Sequence, residues 1–191
     1  MQHFLGEGMK ERTVTNFLKI ELQRRGLICH GKLDIFNHET DDLHERSFKI
    51  DLTFGPIGTK GNRTEEQAQL DRNMFNQYAD ILKSVVDELI PCCVFPDRND
   101  REYGFRSEPN QNSVVGIAVE VENAKSKYFL GSLLAASIAG RWGFLIVPDT
   151  IETDRWIETL RRMRYKCSHD PIPSNIYIFK WPQLQEHLLF C

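Results

Sequence analysis

The chain has 191 residues, 41% apolar and 27% charged, a balance that suits one packed domain and argues against disorder. No apolar run reaches the roughly 18 to 20 residues that span a bilayer, and the start MQHFLGEGMKERT lacks the basic-then-apolar order of a secretory signal, so neither membrane nor secretion is expected. A net charge of −3 speaks against binding polyanions with the whole surface, and five cysteines, with Cys92 and Cys93 adjacent and Cys191 last, suit a reducing, cytoplasmic setting in which Cys29, Cys92 and Cys93 act as small buried hydrophobes.

The first predicted element is a helix from about Thr13 to Arg25, with Val14, Phe17, Leu18 and Leu22 on one face and Gly26 as its stop. Glu21 projects near the middle of that apolar face. Either it lies at the edge and reaches water, or it is aimed at a polar site beyond the core, because burying a carboxylate without a cation or donor is costly. Two strands follow, Leu27 to Phe36 and Ser47 to Phe54, joined by the polar loop HETDDLH. In the second, Phe48, Ile50, Leu52 and Phe54 alternate with Lys49, Asp51 and Thr53. Gly55-Pro56 and Gly58 should break this strand, and GTKGNR reads as a loop.

A long helix is predicted from about Glu65 to Ile90, opened by a Thr64–Gln67 capping box, closed by Pro91 and striped by Leu70, Met74, Tyr78, Leu82, Val85 and Leu89. Between 91 and 113 only CCVF has strand character, and DRND reads as a turn. Residues 114–149 carry the strongest pattern. Ile117, Val119 and Val121 alternate with Ala118, Glu120 and Glu122, so one face of this strand bears two carboxylates. Lys127 to Ala139 is a helix apolar nearly all round, expected to be buried against a sheet, and Trp142 to Val147 is an unbroken apolar run, as in interior parallel strands. Together they read as a right-handed crossover unit. The tail adds a helix from Glu152 to Lys166 carrying Arg155, Arg161, Arg162, Arg164 and Lys166, a strand from Asn175 to Trp181 and a last helix from Gln183 to Leu189. Its basic residues form either a solvated face or one that contacts phosphates.

Asp51 on one strand and Glu120 and Glu122 on another converge if the strands are neighbours, with their oxygens within about 4 to 7 Å of one another. Such a cluster repels itself unless a cation neutralises it, and an oxygen-only set selects hard divalent ions such as Mg²⁺, with Mn²⁺ as a substitute. His38 and His44 with Asp41 and Asp42 read as a solvated loop rather than a metal site, and Cys167 with His169 is too little for zinc.

A helix with an inward Glu, a hairpin bearing KIDLTF, the strand EVEN, an apolar helix and the strand GFLIVP resemble, in that order, the PD-(D/E)XK nucleases, the superfamily of the type II restriction endonucleases. The resemblance covers residues 13–149 and implies an α/β fold, a central mixed sheet flanked by helices, with an αβββαβ core. Residues 1–191 would form one domain, with 56–113 as an insertion and 150–191 as a C-terminal extension. It implies a Mg²⁺-dependent endonuclease acting on double-stranded DNA, as a homodimer if the target is a palindrome. A repair or structure-directed nuclease, or a nuclease-fold protein that binds nucleic acid without cutting it, is the alternative. By the same resemblance Asp51 is the metal-binding aspartate, Glu120 the first acid of the second half-motif and Glu21 the family's occasional first-helix acid. Glu122 stands where the family has lysine, so it serves as base or metal ligand, or Lys125 or Lys127 reaches in from the helix start. Asp97, in the only literal Pro-Asp at suitable spacing upstream of EVE, is the rival to Asp51, which is preferred because its strand orients it.

Overall fold

Segments rich in branched and aromatic residues assemble into a single six-stranded mixed sheet with helices on both faces, in a computed structural model that describes residues 10–34, 49–59, 64–102, 105–123, 126–166 and 172–190. The strands are β1 (Cys29–Asp34), β2 (Lys49–Ile57), β3 (Cys93–Phe95), β4 (Val115–Val121), β5 (Gly140–Val147) and β6 (Ile176–Lys180), in the spatial order β1-β2-β4-β5-β6-β3. The β4–β5 and β5–β6 pairs are parallel, and β1–β2, β2–β4 and β6–β3 are antiparallel. The helices are α1 (Glu11–Arg24), α2 (Glu65–Gln77), α3 (Ala79–Leu89), α4 (Arg98–Glu102), α5 (Ser126–Ala139), α6 (Ile151–Lys166) and α7 (Trp181–Phe190). This is the α/β architecture, mixed sheet and flanking helices expected from the sequence. The loop holding His38, Asp41, Asp42 and His44, residues 60–63, Lys125 and the pair Cys167 and His169 lie outside the described residues.

Period-two strands with one face under each helical layer explain the two cores. Leu52, Phe54, Ile117, Val119, Val121, Phe144 and Ile146 pack with Val14, Leu18 and Leu22 of α1, Leu82, Val85 and Leu89 of α3, and Leu184 and Leu188 of α7. On the other face Leu145, Val147, Ile176 and Ile178 meet Phe129 and Leu133 of α5 and Ile157 and Leu160 of α6, while Ala135 and Ala139 of α5 close over Ile50, Val115 and Ala118. Thr53, read from the sequence as polar-facing, is fully buried, and its hydroxyl donates to the Gly31 carbonyl at 3.1 Å.

Several local expectations are corrected. Gly55-Pro56 does not end β2; it sits in a bulge, because three steps along β2 from Phe54 to Ile57 oppose two along β4 from Ile117 to Val115. Gly55 supplies the positive φ of 82° there, and Pro56, which has no N–H to give a ladder, is tolerated at such an irregularity. The long helix is two, broken at Tyr78, whose ψ of 1° caps both halves. The break changes the phase of the stripe. Leu70 is exposed, and α2 buries Asp71 and Phe75 instead, with Asp71 accepting the Thr59 amide at 2.9 Å. The Thr64–Gln67 capping box forms in both directions. Helix α5 is not covered all round: its alanines face the sheet, while Tyr128, Leu130, Leu134 and Ile138 lie on the surface.

The expected insertion and extension are joined at the far edge of the sheet, where β3 pairs with β6. Asp97 follows β3, so β5 and β6 stand between it and β4, a separation of about 14 Å at roughly 4.8 Å per strand. Its carboxylate accepts the Asp100 amide at 2.9 Å and an Arg161 N–H at 2.7 Å, which makes it a helix cap and ion-pair partner rather than a companion of Glu120. Arg161 also binds Asp100, and the Arg164 guanidinium lies 4.2 Å from the centre of the Phe105 ring. The basic helix therefore spends two of its arginines internally and leaves Arg155 and Arg162 exposed.

The closeness of α5 to β5 rests on Gly143, where a Cβ would stand 2.7 Å from Ile176 Cδ1 and 2.8 Å from the Ala136 carbonyl carbon. Gly143→Ala should lower the unfolding free energy by about 1 to 3 kcal/mol in denaturant titrations. Gly131→Ala, on the open face of α5 with nothing within 4 Å, should raise it by about 0.4 to 1 kcal/mol. Equal effects at the two glycines would contradict this packing.

Candidate metal site at the β2–β4 junction

The regular β2–β4 pairing reaches Leu52↔Val119 and stops short of the end of β4. Beyond that pair the Val121 amide has no ladder carbonyl across from it, and Asp51 takes its place: Val121 N–H donates to Asp51 Oδ2 at 3.0 Å. A second bulge aims Asp51 there. From Gly31↔Thr53 to Leu33↔Ile50, two steps of β1 oppose three of β2. The extra residue breaks the expected alternation at Asp51, so that Ile50 joins the cluster under α5 while Leu52 and Phe54 stay in the opposite core.

Glu120 is the penultimate residue of β4 and is only 8% exposed. Burial, followed by the charges of Asp51, Glu11 and Glu122, pushes its carboxyl up to about 9. Burial also raises the Asp51 carboxyl above the ordinary range, against the pull of the Val121 amide, which favours the charged form. Two neighbouring carboxyls thus share a desolvated end of the sheet. Glu122, just past the strand, is half-buried and accepts from the Ser132 hydroxyl of α5 at 3.2 Å.

The first helix does contribute an acid, but not the expected one. Glu21 is buried against Arg24 at 2.6 Å and Arg25 at 3.3 Å, and Arg25 continues to Glu88, so its two oxygens are already engaged by guanidinium groups. Glu11 stands ten residues earlier, about 15 Å along the helix, and it acts electrostatically on both Asp51 and Glu120. Lys32 of β1 lies between the two elements, with Nζ 2.7 Å from Glu11 Oε1 and 3.5 Å from Asp51 Oδ1. Sequence reasoning missed both residues. Glu11 precedes the apolar stripe that defined the helix, and the position of Lys32 opposite Asp51 depends on a bulge that no residue pattern announces. Lys125 lies outside the described residues, as does the side chain of Lys127.

Lys32 meets Glu11 and Asp51 directly, and the charges of Asp51, Glu11 and Glu122 act on Glu120. A hard divalent ion suits this donor chemistry: the ligands are all oxygens, the negative charge exceeds the positive, and burial disfavours the charged form of the deepest acid. Asp51 and Glu120 would hold such an ion, with Glu122 or Glu11 completing the set. Among the described residues, no three His, Cys, Asp or Glu side chains are already drawn together closely enough to hold one.

The sign of the Glu120 effect is testable. An acid whose folded value lies above its unfolded value holds a proton in the native state that the unfolded state releases. Stability therefore falls as pH rises from about 4.5 to about 9. Glu120→Gln, neutral throughout, should raise Tm of the metal-free protein by several degrees at pH 8 and leave it nearly unchanged at pH 4. Equal melting curves for the two proteins at pH 8 would show that Glu120 is not desolvated.

Compared with known proteins, the chain matches no family model, no curated protein and no solved structure.

Proposed function

We propose that the protein is a divalent-metal-dependent endonuclease of the PD-(D/E)XK kind, acting on double-stranded DNA, most simply as a type II restriction endonuclease. The observation that carries this reading is the pairing of Asp51 with Glu120 on adjacent antiparallel strands, where the Val121 amide holds the first and burial holds the second. The chain order α1-β1-β2, then β4-α5-β5, agrees with the resemblance in the sequence. Mg²⁺ or Mn²⁺ bound by these acids would make water more acidic and offset charge on the phosphodiester. The protein's own share is to fix Asp51 through the Val121 amide, to exclude water around Glu120, and to orient Glu122 through Ser132 as the group that takes the proton of the attacking water. Arg155 is exposed on α6 and would be open to a DNA phosphate, Arg162 is exposed but paired with Glu158, and a palindromic target would engage two copies.

Supercoiled plasmid incubated with and without Mg²⁺ tests the reading. Cleavage should occur with Mg²⁺ or Mn²⁺ and stop in excess chelator, and discrete fragments would mark restriction rather than general cutting. Asp51→Asn and Glu120→Gln should each cost about 100-fold or more in rate. Glu122→Gln should do the same while DNA binding survives, and near wild-type cutting by this variant would remove Glu122 from the proton transfer. The presence of Glu122 where the resembling family has lysine favours one second reading, a protein that binds DNA without cutting it. Binding with no cleavage in either metal would select that reading.

A further inference from the structure

The carboxyl groups of the site are arranged by depth. Glu120 is 8% exposed, and the Asp51 side chain is 16% exposed. The Lys32 side chain is 64% exposed and Glu11 44%, so these two are the open groups of the cluster and Asp51 and Glu120 the enclosed ones. Lys32 is delivered there by β1, in the bulge facing Asp51, and its Nζ touches both Glu11 and Asp51. At 3.5 Å the Asp51 contact is an electrostatic approach rather than a good hydrogen bond, and a solvated lysine holds such partners weakly.

We infer that Lys32 is the catalytic cation of the site, the group that meets the scissile phosphodiester. The inference rests on the nuclease reading and deepens it. A phosphate entering from solvent reaches the ammonium before it reaches the buried acids. The strand itself offers no positive charge at that place, because position 122 is a carboxylate engaged with Ser132. Were Asp51 and Glu11 to hold a divalent ion, Lys32 would be free to meet an anionic phosphate oxygen instead. Lys32 then offsets charge that builds on the phosphoryl oxygens in the transition state, a contribution that appears in the rate more than in binding.

The test uses Lys32→Met, which keeps the length of the side chain without its charge, and Lys32→Arg. Cleavage of supercoiled plasmid is followed in Mg²⁺, and Mn²⁺ binding to the protein alone is followed by calorimetry. Lys32→Met should bind Mn²⁺ as tightly as the wild type or more tightly, with Tm retained. Its kcat should fall roughly 100-fold with little change in KM. Lys32→Arg should recover at least part of the lost rate. A kcat loss below about tenfold, or a loss of Mn²⁺ binding in parallel with the rate, would overturn the assignment, the second by showing that Lys32 only shapes the acid cluster. If the wild type cuts and Lys32→Met cuts equally well, Lys32 alone is refuted. If the wild type does not cut, the nuclease reading falls, and the role of Lys32 with it.

Discussion

A carboxylate near the end of an interior strand must be met by a proton, a donor or a cation, and β4 carries one at its penultimate residue. Glu120 lies on the strand between β2 and β5, in surroundings that raise it to about 9. Its neighbour Asp51 is met by the Val121 amide, which the bulged start of β2 leaves without a ladder partner. This shared desolvation costs stability at neutral pH, and nothing in the packing of the two cores requires acids at these positions. Valine or threonine would continue either strand. Acids retained at such a cost point to a ligand that repays it, and an oxygen-only set points to a hard cation.

The surrounding frame is organised to expose that end. The parallel strands β4, β5 and β6 finish on the same side, and in open α/β sheets the carboxyl ends of the strands are where ligands collect. The chain from 56 to 113 contributes little to this end. It runs away through α2 and α3 to cover one face and returns as β3 at the opposite edge, where β6 pairs with it. Asp97 illustrates the division. It has the literal Pro-Asp spelling, yet it caps α4 and binds Arg161 three strands away.

Burial periodicity made the sheet and the helices legible, because an alternating or unbroken apolar run allows few placements; of the two acids expected on one strand, Glu120 lies in β4 and Glu122 just past its end. Two misreadings have a common source: features set by one strand's fit to another rather than by its own residues. Ile50 changes sides because β1 and β2 pair through a bulge. Gly55-Pro56 stays within β2 because an irregular pairing tolerates a missing N–H. Glu21 lies on the apolar face, but Arg24 and Arg25 supply its countercharge, whereas Glu11 acts on the acids from outside that face. Hydropathy alone reads every large residue of α5 as buried, yet Phe129 and Leu133 are covered while Tyr128, Leu130, Leu134 and Ile138 are not, and the closest approach to the sheet is made by a small residue, Ala136 against Gly143.

The central claim is that this end of the sheet is a site for a divalent cation whose binding deprotonates Glu120. Calorimetric titration with Mn²⁺ at pH 7.5, repeated in buffers of different ionisation enthalpy, measures protons released per ion bound. The account predicts saturable binding with release of about one proton, and loss of that release in Glu120→Gln. No binding by the wild type, or binding with no proton released, would contradict it.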